Sequence, residues 1–388
     1  MTSSISPGKH KVDGASEDEP NLKKPSVHSD LIASHYNRRG NTSCAERRNS
    51  KIFFMRNFNN WIKSVLIKKY VDNLREEEGT RHRPTVLDLG CGKGGDLLKW
   101  NKGNIQRMVC TDLAATSIDQ CKERYSLLQK RNRNQIFDAE FIVSDSGKKL
   151  LCEKLSDREI TFDITSSQFV VHYTFESEEQ AEMMVRNACQ GLRPGGYFIG
   201  TTVNDAVLIN KARSSPDLKF GNDVFSVSFQ SKEPFPDFGC KYIFKLHDVV
   251  DCPEFLLKKK VFTKICRKHG MRLVEWKTFS EFFYENSKFR ENFRLINRMK
   301  ALEVYPPHND QLNSAASGDY EHAEKECRRI QCKYPDSRPQ VATLSKTEWE
   351  AASIYVVFAF VKDDSDKTVE DDESDDDVFN EKIPLVIL

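Results

Sequence analysis

The chain has 388 residues, of which 38% are hydrophobic, and can therefore bury one large α/β domain or two small ones. Its net charge of +1 hides an asymmetry, because residues 362–388 hold eleven acids and three lysines and leave +9 for the rest. The longest apolar run, residues 354–361, is too short to cross a membrane, and the eleven cysteines form no Cys-x-x-Cys pair or Cys/His cluster with zinc spacing. We therefore expect a soluble intracellular protein with no metal and no membrane association.

The composition divides the chain into three parts. Residues 1–50 are polar and basic with almost no apolar clustering, which predicts a disordered tail, and residues 362–388 form an acidic C-terminal tail. A basic body with an acidic tail fits a polyanionic substrate, and fits equally well a solvated surface with a solubilising tail. The single folded domain is predicted to span residues 51–361, and it opens with an amphipathic helix over residues 52–67 that carries Asn59, Asn60 and Lys63.

A glycine-rich turn follows this helix. Thr85–Leu89 is predicted to be a buried strand, four glycines then fall within six positions, and residues 96–100 resume helical spacing. The pattern Gly90-x-Gly92-x-x-Gly95 fits a dinucleotide site, whereas Asp88-x-Gly90-x-Gly92-x-Gly94 fits an S-adenosylmethionine (SAM) site. A turn that binds no ligand is the third interpretation, so the glycines alone do not decide.

Polar residues recur where successive strands are predicted to end. Strands are predicted over residues 108–112, 139–143 and 162–165, with helices over residues 118–128 and 177–190. The residues placed at or near these ends are Asp112, Asp145, Gln168, Phe169, His172 and Tyr173, and the helix over residues 118–128 presents Arg124. Open α/β sheets bind ligands at the carboxyl ends of their strands, so we expect these side chains to gather at one site.

The alternation of strand and helix breaks beyond residue 202. Residues 225–229 and 241–246 are predicted to pair as antiparallel strands, and residues 254–269 and 281–299 to be helices. Strands are predicted over residues 271–276 and 354–361, residues 306–339 are rich in loop signals, and Ser345-x-x-Glu348 has a capping-box pattern. The predicted fold is α/β: a Rossmann-like doubly wound sheet with an antiparallel edge and an inserted α/β lobe over about residues 203–345.

The order of the motifs favours a methyl donor over a dinucleotide. The glycine pattern, Asp112, Asp145 and the turn Leu192-x-Pro194-Gly195-Gly196 together resemble class I SAM-dependent methyltransferases. A nicotinamide oxidoreductase would repeat a second mononucleotide half, which the antiparallel insert contradicts. No nucleophile–base pair is evident, and this fits an acceptor atom that already holds a free lone pair.

Six segments resemble one family, the eukaryotic mRNA cap guanine-N7 methyltransferases. They cover roughly residues 50–361 and read Arg56-Asn57-Phe58-Asn59-Asn60-Trp61-x-Lys63-Ser64, Val86-Leu87-Asp88-Leu89-Gly90-Cys91-Gly92-Lys93-Gly94-Gly95-Asp96, Gln168-Phe169-x-x-His172-Tyr173, Phe238-Gly239-Cys240-Lys241-Tyr242, Pro253-Glu254-Phe255 and Ser353-Ile354-Tyr355-x-x-Phe358. The resemblance implies a nuclear enzyme that transfers methyl from SAM to N7 of the cap guanine of RNA. It also implies a small activating subunit.

The resemblance also implies roles for individual residues. Contacts with SAM are implied for Lys63, Asp88, Gly90, Gly92, Asp112, Asp145, Gln168 and Tyr173. Contacts with the cap are implied for Asn59, Asn60, Lys93, Lys99, Arg124, His172, Glu254 and Tyr355. Phe169, His172 and Tyr173 would position the substrates, and no residue would act as an acid or base.

Two other functions are compatible with the sequence, and the chain departs from the family pattern at two places. The chain could be a catalytically silent cap- or RNA-binding module on a methyltransferase scaffold, or a small-molecule methyltransferase. Val203 stands where many family members carry proline, which puts one wall of the guanine pocket in doubt. The acidic tail extends beyond the usual end of the family.

Overall fold

The structure is a computed structural model that describes residues 1, 27–38, 48–131, 136–230, 233–307, 318–363 and 382–387. The α-helices among them are, in chain order, α1 Val27–Arg38, α2 Phe53–Glu78, α3 Leu97–Lys102, α4 Ala115–Arg131, α5 Glu178–Cys189, α6 Asp205–Arg213, α7 Lys259–Lys268, α8 Phe279–Asn286, α9 Arg290–Met299, α10 Glu321–Lys333 and α11 Lys346–Ala352. The strands are β1 Thr85–Leu89, β2 Arg107–Asp112, β3 Asp138–Val143, β4 Phe162–Gln168, β5 Leu192–Val203, β6 Lys219–Gly221, β7 Phe225–Phe229, β8 Lys241–Leu246, β9 Val250–Phe255, β10 Met271–Thr278, β11 Glu303–Tyr305, β12 Val341–Thr343, β13 Tyr355–Lys362 and β14 Leu385–Ile387.

A seven-stranded sheet forms the centre of the fold, in the order β10-β13-β5-β4-β1-β2-β3. Its strands pair in parallel except for β13, which is antiparallel to both of its neighbours. The predicted doubly wound sheet is therefore confirmed. The antiparallel strand lies one place in from the edge, and the edge strand β10 runs in the same direction as β5.

Helix α2 supplies one layer of the core because its apolar residues recur at helical spacing. Phe58 and Trp61 are fully buried on it, and Trp61 Nε1 donates a hydrogen bond to Asn292 O at 2.9 Å. The opposite side of the helix carries polar residues at the same spacing, including Asn60 and Lys63. Burial of the apolar stripe thus fixes where these polar side chains lie.

Two smaller sheets are attached to the central one, and they correct the prediction of a single inserted lobe over residues 203–345. A four-stranded antiparallel sheet, β6-β7-β8-β9, follows β5, and a three-stranded sheet, β11-β12-β14, follows α9. Strand β10 falls between them in the chain but belongs to the central sheet. The chain therefore leaves the central sheet twice.

Three predicted elements are wrong in extent. Residues 254–258 are not helical, because β9 continues to Phe255 and α7 begins at Lys259; β9 is an edge strand, where Pro253 is tolerated. The helix predicted over residues 281–299 is broken into α8 and α9 by an extended backbone at Phe289. The loop-rich segment 306–339 contains α10.

The predicted tails contain regular structure. Helix α1 lies within residues 1–50, so the prediction of disorder is wrong for residues 27–38; it was also made for residues 2–26 and 39–47, which lie outside the described residues. At the other end of the chain β14 pairs with β12, and Ser280 Oγ donates a hydrogen bond to Lys382 O at 2.8 Å. The acidic residues 364–381 lie outside the described part. Among the described residues, no helix is long and apolar enough to span a membrane.

Candidate active site

A cavity of about 540 Å³ opens at the carboxyl ends of β1, β2, β3 and β4, the edge at which open α/β sheets bind ligands. The predicted site residues that line it are Asn60, Lys63, Gly90, Gly92, Lys93, Asp112, Arg124, Asp145, Gln168, Phe169 and Tyr173. The predicted residues outside its lining are Asn59, Asp88, Lys99, His172, Glu254 and Tyr355. The cavity thus gathers most of the residues predicted to contact the cofactor and part of those predicted to contact the cap.

The glycine turn forms the floor of the cavity. Gly90 has φ +75°, and a Cβ atom there would lie 2.4 Å from Val170 Cγ2, so only glycine fits. Gly92 has φ +52°, and a Cβ atom there would meet nothing within 4 Å. The turn therefore exposes bare backbone to whatever occupies the cavity.

Asp112 at the end of β2 braces this turn. Its Oδ2 accepts a hydrogen bond from the Gly92 amide at 2.9 Å, and its Oδ1 accepts one from the Ala114 amide at 2.8 Å. Burial raises the pKa of Asp112, while these two amide hydrogen bonds oppose that rise. A carboxylate has about four lone-pair positions, so each oxygen keeps capacity for a hydroxyl in the cavity.

A buried ion network joins α2 to the start of α3. Asp96 accepts from Lys63 Nζ at 2.9 Å and from Lys99 Nζ at 2.6 Å, and Lys99 also donates to Asn60 Oδ1 at 3.0 Å. Burial alone would raise the pKa of Asp96, but the two lysines outweigh it and hold that pKa below its ordinary range. Burial lowers the pKa of Lys99, and Asp96 opposes that effect. Lys99, predicted to contact the cap, thus lies behind the cavity and positions Asn60.

Asp88 lies beneath the glycine turn and does not line the cavity. Burial raises the pKa of Asp88 well above its ordinary value, and the neighbouring charge of Asp96 adds to the rise. A hydrogen bond with Ser166 acts in the opposite direction. The structure thus places Asp88 close to Asp96 and Ser166 and outside the lining of the cavity.

The end of β4 lies beside the glycine turn, because β4 pairs in parallel with β1. Gln168 Oε1 accepts a hydrogen bond from Thr201 Oγ1 at 3.2 Å. Phe169 follows with φ +62°, a strained value for a bulky residue, and its amide donates to Thr201 O at 3.0 Å. This conformation places the Phe169 ring edge-on to the Tyr355 ring, with centroids 4.9 Å apart.

A buried carboxylate lies one side chain beyond the cavity. Tyr173, which lines the cavity, donates to Glu254 Oε1 at 3.2 Å, and Tyr242 donates to Glu254 Oε2 at 2.8 Å. Burial raises the pKa of Tyr242, and the charge of Glu254 adds to the rise. His172 Nε2 lies 3.6 Å from Glu254 Oε2, and it has no hydrogen-bond partner within the described residues. This cluster connects the insertion strands β8 and β9 to the central sheet.

Several lining residues were missed by the sequence predictions. Ser144 Oγ is buried in the cavity wall and has no hydrogen-bond partner in the described part of the chain. Ser29, Ile32 and Ala33 of α1 close one side of the cavity. Ser144 could have been found because it directly precedes Asp145, whereas α1 has only a weak apolar pattern.

Three buried thiols meet at the glycine turn, one of them from the turn itself. The sulfur atoms of Cys91, Cys110 and Cys121 are within 4.8 Å of one another. The sequence predicted no metal site because these cysteines are far apart in the chain. Cys189, in an apolar segment elsewhere in the chain, is also buried.

Comparison with known proteins decides the family. The sequence model of the mRNA (guanine-N(7))-methyltransferase domain matches residues 20–363. The chain belongs to this family. It is 42% identical over 342 residues to the mRNA cap guanine-N(7) methyltransferase of Drosophila melanogaster, covering 86% of this chain and 77% of that protein. It is 35% identical to mRNA cap guanine-N(7) methyltransferase 1 of Arabidopsis thaliana, covering 85% and 80%.

Among solved structures, the chain is similar to the CcbJ methyltransferase of Streptomyces caelestis, with 12% identity and a TM-score of 0.42 over 78% of this chain and 95% of that one. The predicted membership of the cap guanine-N7 methyltransferase family is confirmed, and with it the predicted enzyme activity. The predicted class I methyltransferase fold is also confirmed. The silent binding module and the small-molecule methyltransferase are not favoured.

Proposed function

We propose that the chain transfers methyl from SAM, bound in the 540 Å³ cavity, to N7 of a cap guanine held against Glu254. The observation that carries this assignment is the buried Glu254 carboxylate, which is joined through Tyr173 to the cavity formed by the glycine turn. One ligand would occupy each side of Tyr173. The two reactants would then meet near that ring.

The cavity residues fit the donor. Bare backbone at Gly90 and Gly92, the free lone pairs of Asp112 and the orphaned Ser144 Oγ together suit an uncharged adenosine that carries hydroxyls. Lys63, Asp145, Gln168 and Tyr173 complete the proposed donor set. SAM supplies an electrophilic methyl group when bound.

Glu254 fits the edge of guanine that lies opposite N7. That edge offers two neighbouring donors, N1–H and N2–H₂, and a carboxylate accepts both in hydrogen bonds about twice as strong as neutral ones. Adenine would instead present an acceptor at N1. His172, Tyr355 and Phe169 would orient the base, and His172 Nε2 has no hydrogen-bond partner in the described part.

The triphosphate bridge of the cap is a polyanion, and cationic and amide groups gather at the rim of the cavity. Lys93, Arg124 and Asn60 line the cavity, and Asn59 Oδ1 is buried without a hydrogen-bond partner in the described residues. We assign these four to the bridge and the cap ribose. Lys99 would contribute by holding Asn60.

The proposed reaction needs no general base, because N7 of guanine already holds a lone pair. The residues around it would orient that lone pair and exclude water. Alignment of two reactants can lower a barrier by about 7–11 kcal/mol, which is enough to replace acid–base chemistry. Capped RNA, a nuclear location and a small activating subunit are part of the proposal; the last two rest on the family resemblance alone.

The test is to incubate the full chain with methyl-labelled SAM and GpppRNA and to map the label. We expect it on N7 of the cap guanine. Label on a ribose 2′-oxygen or on adenine would contradict the proposal.

A further inference from the structure

One face of α9 is strongly basic. Ile296 is buried under the helix, while Arg290, Arg294 and Arg298 are exposed. Their spacing of four residues places these three arginines in one row on the helix surface. Exposed lysines flank the row at each end. The basic helix face is the set Lys288, Arg290, Arg294, Arg298 and Lys300.

Acidic side chains close to this face in the sequence do not neutralise its charges. Residues 285–300 contain two acids, Glu285 and Glu291, and both point elsewhere. Glu285 pairs with Lys277, and Glu291 lies 3.5 Å from Lys68. Within the part of the chain that the structure describes, none of the five cations of the basic helix face forms an ion pair. Five uncompensated cations on a short segment favour a polyanionic partner.

A short series of contacts joins the C-terminal end of α9 to a residue that lines the cavity. Lys300 O accepts a hydrogen bond from Asn57 Nδ2 at 3.0 Å, which ties the end of α9 to α2. Ser64 Oγ contacts Met299 Sδ at 3.9 Å and donates to Asn60 O at 2.7 Å. Asn60 lines the cavity. The end of the row at Arg298 and Lys300 therefore lies close to the place where the cap bridge would lie.

We propose that the basic helix face binds the phosphodiester chain of capped RNA downstream of the cap; this rests on the proposed function. The row from Arg290 to Arg298 is about 12 Å long, given 1.5 Å of rise per helical residue, so it can meet several successive phosphates. Phe289, 63% exposed beside the row, offers a ring on which an unpaired base stacks. Both contacts are independent of RNA sequence.

The test compares two triple variants of the full chain. The first carries Arg290→Gln, Arg294→Gln and Arg298→Gln, which keeps helix-forming side chains and removes three charges. The matched control carries Lys325→Gln, Arg328→Gln and Lys333→Gln on α10, where the cations are also exposed. Binding of a 5′-GpppG-capped 20-nucleotide RNA is measured by fluorescence anisotropy over a series of salt concentrations. Methylation of the dinucleotide GpppG is measured in parallel.

We expect the α9 variant to bind capped RNA at least tenfold more weakly at about 0.1 M salt. The slope of log K against log salt should fall by about 2, since each single-strand phosphate contact contributes about 0.7. Its turnover of GpppG, and both properties of the control, should stay within twofold of the unmodified chain.

Unchanged RNA affinity, or an equal loss in the α10 control, would overturn the proposal. Tighter RNA binding by the α9 variant would also overturn it, because it would mean that the face holds the chain's own acidic segment. RNA binding does not depend on turnover, so failure of the methylation reaction would leave this test readable.

Discussion

In the proposed function Glu254 selects the base, because its carboxylate is buried and already accepts hydrogen bonds from Tyr173 and Tyr242. Replacing Glu254 with Gln removes the charge and one of the two acceptors that we assign to guanine. We expect cap affinity to fall by about 1.5–3 kcal/mol, the scale of a hydrogen bond to a charged group, with SAM affinity unchanged. Separate calorimetric titrations of GpppG and SAM measure the two affinities.

Glu275 is the matched control for that substitution. It is also buried, accepts from Tyr70 at 2.9 Å, and lies on β10. Glu275→Gln should lower stability and leave both affinities intact. Equal loss of both ligands in Glu254→Gln, or loss of neither, would remove Glu254 from the guanine pocket.

Asp112 has two tasks, bracing the Gly92 amide and facing the cavity. Asp112→Ala should therefore raise the SAM concentration needed for half-saturation at least tenfold, because ligand hydroxyls and the turn both lose a charged acceptor. Equilibrium binding of SAM to the folded variant is the measurement. Asp163→Ala is the control: Asp163 accepts from the Thr85 amide at 2.7 Å at the opposite end of β1, so its loss should affect stability alone. Normal SAM affinity in Asp112→Ala would exclude Asp112 from the site.

At the scale of single residues, the sequence could predict what lies within one short segment. The glycine turn, Asp112 and Asp145 each follow an apolar strand, so their positions at one sheet edge follow from the strand pattern. The cap contact of Glu254 is predicted only by the family resemblance, and the local sequence pattern wrongly predicts that Glu254 lies on a helix. Its real environment depends on the pairing of β8 with β9, where Tyr242 lies opposite it, and no local pattern contains that information.

At the scale of elements, Glu348 joins α11 to the start of α2. Its Oε1 accepts from the Met55 amide at 2.9 Å, and its Oε2 accepts from Ser345 Oγ at 3.1 Å. Burial raises the pKa of Glu348 from 4.5 to about 7, although the Met55 amide opposes the rise. The sequence predicted this helix and its capping serine, but not the distant partner that the glutamate holds.

The raised pKa of Glu348 gives stability a definite pH dependence. The folded protein binds the Glu348 proton more tightly than the unfolded chain does. The protonated carboxyl therefore adds its full stability below pH 4.5, and this contribution is lost as the pH rises through about 7. The Glu348→Gln side chain cannot titrate. The free energy of unfolding should therefore fall by roughly 3 kcal/mol less between pH 5 and 8 in this variant than in the unmodified chain. Urea unfolding at several pH values measures it. Glu281→Gln, at the half-buried acid of the α8 capping box, controls for loss of a capping carboxylate. An unaltered pH profile in Glu348→Gln would contradict the assignment.

Other elements escaped prediction because tertiary pairing outweighed local preference. Pro253 reads as the first turn of a helix but sits on the edge of a sheet, where its missing N–H costs nothing. The break at Phe289 separates α8 from α9, and no glycine or proline near it indicates the end of a helix in the sequence.

At the scale of the whole molecule, the folded unit extends beyond residues 51–361. Helix α1 closes part of the cavity, and β14 pairs with β12 beyond the acidic segment. Ile383 and Val386 pack against the core. Neither segment could be predicted from the sequence, because each is short and is held in place by residues that are distant in the chain.

Deleting residues 382–388 should lower the free energy of unfolding by roughly 2 kcal/mol, since the partly buried side chains of Ile383, Leu385 and Val386 lose their packing. Methylation of GpppG per folded molecule should stay within twofold, because no deleted residue lines the cavity. Urea unfolding and initial rates are the measurements. Ile387→Ser is the control, because that side chain is 52% exposed and should be replaceable at little cost. A deletion variant as stable as the full chain would contradict the docking of β14.

The separation of the two ligand sites also bears on how such enzymes diversify. The proposed donor contacts come from the ends of the central strands, whereas Glu254 and Tyr242 come from a sheet inserted after β5. Substitutions in the inserted sheet can then change which nucleobase is accepted while the ancestral methyl-donor pocket is inherited intact. An engineer who wished to redirect this scaffold to a new base would randomise β8 and β9 and leave the glycine turn alone.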